Sequence, residues 1–470
     1  MQRKIGRKNR TRISALAAGG VALLSIGMTG AQAAMKTPQS NGMLNSLIMP
    51  KVFKDNGIEI GGWMNGGATF NPSHSTFGYN GPVTFGDRAN QAQFNQFNMF
   101  LKRDVVNSGK SWDLGFRADF MFGTDAIFTQ AYGNPTADPT TAANHSTRGD
   151  WDLNILNTGR NYGVALPQAF VEIYAPIANG LTIKAGHFYT PIGFESVPAP
   201  NNFFYSHAYT MQYGEPFTHT GVLTHYNVDK NIVFMSGAIT GSGTGGWDGN
   251  FNRNMSNWGG IGGLTYTTDD KRSSLNIAGT GSEQSARNSA FWGMYSVVAK
   301  HMFTPRTHFI LQHDHGYADN ILMGNGAVGQ AQWFGVNTHL YQDVLHDLSI
   351  GVRGEWFRDR DGFRVYQPGR ISAGTNGNPG GSLHSFAIHG AGAGGQGMAI
   401  TQAADYYAVT IGANWKPAKR LKIDTKALQQ FNVRPNIRYD RADSLTQAAY
   451  TPFGGQKDQV LFSMDFTLPF

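Results

Sequence analysis

The sequence has no cysteine, which excludes disulfides, thiolate metal sites and covalent attachment of a c-type haem. Charged residues make up only 15% of it, against about 25% in a typical soluble globular chain. That is a poorly charged surface for a protein meant to dissolve. No run of eighteen apolar residues occurs beyond the first few dozen positions, so the body of the chain holds no transmembrane helix. The metalloprotease pattern HExxH, the nucleophile elbow GxSxG and the phosphate loop GxxxxGK[ST] are also missing, and hydrolase and nucleotide readings lack their motifs.

The formal charge of +7 has a local cause. Arg3, Lys4, Arg7, Lys8, Arg10 and Arg12 precede an apolar stretch, Ile13 to Met28, and a small-x-small site at Ala31-Gln32-Ala33. This is the layout of a secretory signal peptide, residues 1–33. Its removal takes away six positive and no negative charges, leaving +1. The basic balance therefore gives no reason to expect nucleic acid as a partner.

What the sequence does have is glycine, 60 of 470 residues, and aromatics at 12%. It also alternates. In the closing stretch QVLFSMDFTLPF, Val460, Phe462, Met464, Phe466, Leu468 and Phe470 share one parity, while Ser463, Asp465 and Thr467 hold the other. SWDLGFRADFMF and DLSIGVRGEWF behave alike, with charges confined to one face. Burying those charges unpaired inside a sandwich would be costly. The cost vanishes when the charged face lines water and the apolar face meets lipid.

Sixteen such segments can be counted, from 57–70 to 457–470, the fifteenth at 419–432. Long Gly- and Asn-rich connections such as 124–164 and 359–402 alternate with tight turns such as Asn179-Gly180 and Asp269-Asp270-Lys271. An even strand count with long and short connections at opposite ends predicts an all-β fold, a transmembrane antiparallel up-and-down β-barrel with long extracellular loops and short periplasmic turns. Both termini then lie in the periplasm. Trp258 and Tyr266, on one parity, are separated by roughly 20 Å of membrane depth and suit the two aromatic girdles. Parity is ambiguous where Phe94 conflicts with Phe97 and Trp292 with Phe291. Residues 34–56 fit no strand and suggest a short periplasmic or lumenal helix.

Alternation points Arg117, Asp119, Glu172, Lys184, Arg353, Glu355, Lys422, Asp424 and Lys426 into the lumen, where opposed charges could set a transverse field. His313-Asp314-His315 offers only two converging imidazoles, too few for a metal, and reads as lumen-lining polar residues. No cofactor is expected. The third long loop, TPIGFESVPAPNNFFYSHAYTMQYGEPFTHTG, is dense in aromatic rings, carries four prolines, and falls within a stretch with no Lys or Arg between Lys184 and Lys230. It is too apolar to stand in water. Residues 190–216 are expected to fold into the barrel and narrow it, turning Glu195, His207, Glu215 and His219 toward the pore.

The blocks GHFYTPIG, PAPNNFFYSHAY and GEPFTHTG within residues 185–226 resemble the OmpL-like β-barrel porin family of Gram-negative bacteria. The resemblance implies an outer-membrane, pore-forming barrel and a terminal aromatic that serves as an assembly signal; it supplies no substrate, loops 124–164 and 359–402 match nothing in it, and it is the strand count that bounds the barrel at residues 57–470. The expected function is passive diffusion of small hydrophilic solutes or ions, without enzymatic activity and with outer-membrane lipids as surroundings. An alternative from another class is a structural sheath or scaffold around a periplasmic or surface partner. A homotrimer stays open, because lipid-facing and subunit-facing apolar surfaces read alike.

Overall fold

The computed structural model describes residues 42–73, 78–107, 109–129, 162–240, 258–283, 291–322, 328–365, 402–423, 425–446 and 449–470. The expected signal peptide and most of the two longest connections lie outside these residues. Two short helices, Met43–Ile48 and Lys51–Asp55, precede the first strand. The strands are β1 (Ile58–Phe70), β2 (Gln91–Arg103), β3 (Asp113–Gly123), β4 (Gly163–Ala175), β5 (Leu181–Tyr189), β6 (Thr218–Asn227), β7 (Ile232–Thr240) and β8 (Trp258–Thr267). They continue with β9 (Ser273–Glu283), β10 (Phe291–Thr304), β11 (Thr307–Leu322), β12 (Val328–Asp343), β13 (Leu348–Asp359), β14 (Ala404–Trp415), β15 (Asn432–Ser444) and β16 (Asp458–Pro469).

Each strand pairs antiparallel with its sequence neighbours, and β1 closes the ring on β16. Closure leaves no open edge, as a sheet surrounded by hydrocarbon requires. The alternation sorts as the fold demands. On β16, Phe462 and Met464 are 44% and 57% exposed on the outside, whereas Asp465 and Thr467 are buried inside. Trp258 and Tyr266 both stand on the outer face of β8.

The ambiguity in β2 is a β-bulge. Asn65 pairs with Gln96 but the next residue, Gly66, pairs with Phe94, leaving Asn95 as the extra residue. Asn95 and Gln96 consequently both point inward, and both are buried. The ambiguity in β10 has another origin. Trp292 faces inward against Trp333 and Phe363, so an apolar interior, rather than a slipped register, puts rings on both faces.

Two expectations need correction. The fifteenth strand is not 419–432; it runs from Asn432 to Ser444, and the preceding stretch holds short helical turns at Pro417–Arg420 and Lys426–Gln429. Pro435 disguises this strand, since proline cannot donate to a ladder. Lys422 is thus an exposed connection residue with φ 54°, Lys426 opens a helical turn, and Asp424 lies outside the described residues. His313 and His315 are not lumenal. Gln312 and Asp314 take the inward positions on β11, and His315 stacks on the outer-face ring of Phe334 at 4.5 Å. Closure of the barrel falls on Phe470. Phe470 exchanges two backbone hydrogen bonds with Gly62 (3.0 and 2.9 Å), is 5% exposed, and stacks on Phe97 at 6.1 Å.

Candidate functional site

The inward wall of β13 to β15 carries Arg353, Glu355, Arg434, Arg438 and Asp440, all buried. What covers them is the β5–β6 connection, residues 190–217. Proline stiffens this segment into a 3₁₀ turn at Ala199–Asn201 and it closes with a π-helical turn at Thr210–Gly214. Its aromatic residues Phe204, Tyr205, Tyr209 and Tyr213 are at most 4% exposed.

The segment is held by its backbone as much as by its side chains. Arg434 donates to the carbonyls of Ala199 (2.8 Å) and Asn202 (2.6 Å), Arg438 to that of His207 (2.8 Å), and Arg353 to that of Ser206 (2.8 Å). From the β2 bulge, Gln96 donates to the Val197 carbonyl (2.8 Å) and accepts from the Ala199 amide (3.0 Å). On the remaining side Asn337 of β12 donates to Thr210 Oγ1 (2.6 Å), and Trp333 donates to the Gly214 carbonyl (3.1 Å). Irregular backbone at membrane depth is tolerable only where protein groups satisfy it, and here the wall supplies them.

Four of the residues expected from the sequence meet at this contact. Arg353 Nη1 lies 2.7 Å from Glu195 Oε1, and His207 Nδ1 lies 3.3 Å from Glu195 Oε2. Glu355 accepts from the Tyr209 amide at 2.6 Å and lies 3.1 Å from Arg438 and 3.3 Å from Arg353. Burial alone would raise the Glu195 carboxyl, but Arg353 and then His207 hold it well below the ordinary carboxylate range. Burial lowers the His207 imidazole from its ordinary value despite the pull of Glu195. The loop and wall are therefore joined at neutral pH by a carboxylate and a guanidinium, with a neutral imidazole alongside.

The other expected residues sit elsewhere. Arg117 and Asp119 pair on β3 at 2.6 Å, with the guanidinium over the Phe100 ring. Glu172 and Lys184 face each other across β4 and β5 at 3.8 Å. At the far end of the segment, Glu215 accepts a hydrogen bond from Gln312 of β11, and His219 meets Thr190 Oγ1 at 2.9 Å. Arg434, Arg438, Asp440 and Gln96 were missed in the sequence. Their signal was the alternation of NVRPNIRYD, interrupted to the eye by Pro435, and a parity break at the β2 bulge.

Among the described residues no group of three or more His, Asp or Glu side chains could hold a metal. Within the segment itself, against the end of β5, Glu195, Met211 and Phe217 help line a cavity of about 10 Å³. That is less than the roughly 300 Å³ at which ligand pockets begin.

Residues 57–470 match the family described as "Putative beta-barrel porin-2, OmpL-like". The chain belongs to this family. It is an outer-membrane porin, a barrel embedded in lipid that passes small hydrophilic solutes by passive diffusion. Among solved structures this porin is similar to OprB of Pseudomonas putida (12% identity, TM-score 0.49, covering 89% of this porin and 96% of that chain). It is similar also to the outer-membrane channel DcaP of Acinetobacter baumannii (11%, 0.48, 88% and 97%) and to the anion-selective porin from Comamonas acidovorans (6%, 0.47, 88% and 99%). None of the curated protein sequences matches this porin.

Proposed function

We propose that residues 190–216 form the constriction of this porin and decide what passes it. A barrel of sixteen strands is wide enough to leave an aqueous channel unless something narrows it. The observation that carries the reading is the anchoring of the segment to inward-facing groups of β2 and β12 to β15, with the Arg353–Glu195 contact at its centre. Selection then acts by size first, since rings occupy the space that a wider channel would leave to water.

The same proposal places both termini in the periplasm, on the side of the tight turns, gives the barrel no catalytic centre, and assembles it as a homotrimer. Chemical crosslinking of the purified protein in detergent tests the trimer. The constriction is tested by deleting Pro198 to Met211 while keeping β5 and β6. Larger single-channel conductance and entry of larger neutral sugars in liposome swelling are expected. Equal conductance with the same size limit would put the segment outside the pathway.

A further inference from the structure

Almost every cation on the inner wall is neutralised. Arg353 and Arg438 share Glu355, Arg434 holds Asp465, Arg117 holds Asp119, Lys102 holds Asp104, and Lys184 faces Glu172. Lys300 differs. It points inward from β10, opposite Ser274 on β9 and Ile310 on β11, and among the described residues no carboxylate lies within ion-pair distance of it. Val298 and Ile310 are buried beside it, and Ser274, His308 and Gln312 are the polar groups of the same stretch of wall. Yet Lys300 itself remains partly exposed.

Two features fix where it stands. Cross-strand register runs from Lys300 to Ile310, from Ile310 to His339 and from His339 to Arg353, so Lys300 shares one row of the barrel with the residue that clamps the loop. Its ammonium also lies 5.0 Å from the centroid of Phe194, the loop residue next to Glu195. That ring is itself held, because the Phe194 amide donates to Gln312 (2.9 Å) and the ring meets His339 edge-on at 5.0 Å. A cation above a ring face is attracted by the quadrupole but keeps its N–H donors for other partners. The nearby titratable groups are His339, on the far side of Ile310, and His308, which lies toward Asp343 at 3.9 Å.

We propose that Lys300 is the residue that sets the charge preference of this porin, and that the solutes it favours are small anions such as carboxylates and phosphates. Paired charges on the wall present little net field to a solute at contact distance. An unpaired ammonium at the level of the constriction raises the local concentration of anions and repels cations. Phe194 holds that ammonium in place and covers its apolar stem. This inference rests on the porin reading and on the constriction proposed for residues 190–216.

The test is a planar-bilayer measurement of reversal potential in a potassium chloride gradient. Wild-type channels are expected to prefer chloride, Lys300→Gln to lose most of that preference, and Lys300→Glu to reverse it. The expected change is about fivefold in permeability ratio, the factor given by two unit charges about 4 Å apart in water. Heat-modifiable mobility of each variant shows that the barrel has folded. Because the chain has no cysteine, Lys300→Cys adds a background-free probe: an anionic methanethiosulfonate reagent should shift the preference toward cations and a cationic one should restore chloride. Unchanged reversal potentials in folded variants, or no response to either reagent, would overturn the role of Lys300 and leave the porin reading standing. An absence of wild-type channels would overturn both.

Discussion

Arg353 of β13 and Glu195 of the β5–β6 connection meet at 2.7 Å with both side chains shut off from water, and the guanidinium goes on to the Ser206 carbonyl at 2.8 Å. One side chain therefore bridges the barrel wall and the segment that crosses it. Truncating Arg353 to Met would leave Glu195 and Glu355 buried beside one another with one fewer cation. Breaking a buried pair by removing one partner costs about 3–5 kcal/mol. We expect Arg353→Met to loosen the segment rather than the barrel, giving larger and noisier single-channel currents while heat-modifiable mobility is retained. Currents identical to wild type would show that Arg434 and Arg438 suffice as anchors.

Acid should do reversibly what that substitution does permanently. The Glu195 carboxyl and the His207 imidazole are both held below their ordinary values in the seated segment, so seating favours the proton-free form of each. The stabilisation is complete at neutral pH. It begins to fall as pH drops below about 6.5, where a released imidazole would take up a proton, and falls further below about 4.3, where a released carboxylate would. Conductance measured at fixed salt should accordingly rise as pH falls through this window. Glu195→Gln should remove the lower part of the response and keep the upper. A flat profile in the wild-type protein would contradict the seating proposed for these two groups.

The barrel was legible in the sequence because a period of two, repeated with turn residues between, is a strong signal wherever one face meets lipid and the other meets water. It failed at two local irregularities. Pro435 hid β15, and with it Arg434 and Arg438, while the extra residue Asn95 reversed parity within β2 and hid Gln96. The His313 and His315 pair was misread for a related reason. Polar residues were assigned to water by type, whereas their ring contacts with Tyr295 and Phe334 let them lie on the outer face. The seat of the loop was legible only in part: Glu195, His207, Arg353 and Glu355 were placed toward the lumen, but their partners depend on residues separated by up to 235 positions, as in the bond from Arg434 to the Ala199 carbonyl.

Gly193 offers a more local handle on the same segment. It adopts φ +77°, and a Cβ added there would fall 1.7 Å from Glu215 Oε2. Both the backbone conformation and the close approach of the carboxyl exclude a larger residue. Gly193→Ala should unseat the Glu215 end from Gln312 of β11 without touching the arginine contacts. We expect faster proteolysis near residue 193 in the refolded protein and an intermediate rise in conductance. Wild-type protease resistance would mean that Glu215 moves aside at no cost.

The last expectation concerns closure of the barrel. Phe470 makes the final rung between β16 and β1, through two backbone hydrogen bonds to Gly62, and its ring occupies the place where a Gly62 side chain would project. A Cβ on Gly62 would stand 2.6 Å from that ring and 2.1 Å from the Asn98 carbonyl, so the notch exists only because position 62 is glycine. Ring and rung can be separated experimentally. Deleting Phe470 removes both, Phe470→Leu keeps the rung and part of the packing, and Gly62→Val displaces the ring while leaving the terminus intact. Refolding into lipid vesicles, followed by heat-modifiable mobility, should rank folded yield as wild type, then Phe470→Leu, then Gly62→Val and the deletion together at the bottom. Conductance of the molecules that do fold should be unchanged, because Gly62 and the Phe470 ring lie on the outer face, away from the lumenal Trp63 and Asn65. A deletion variant that folds at wild-type yield would show that closure of β1 on β16 needs neither the ring nor the last rung.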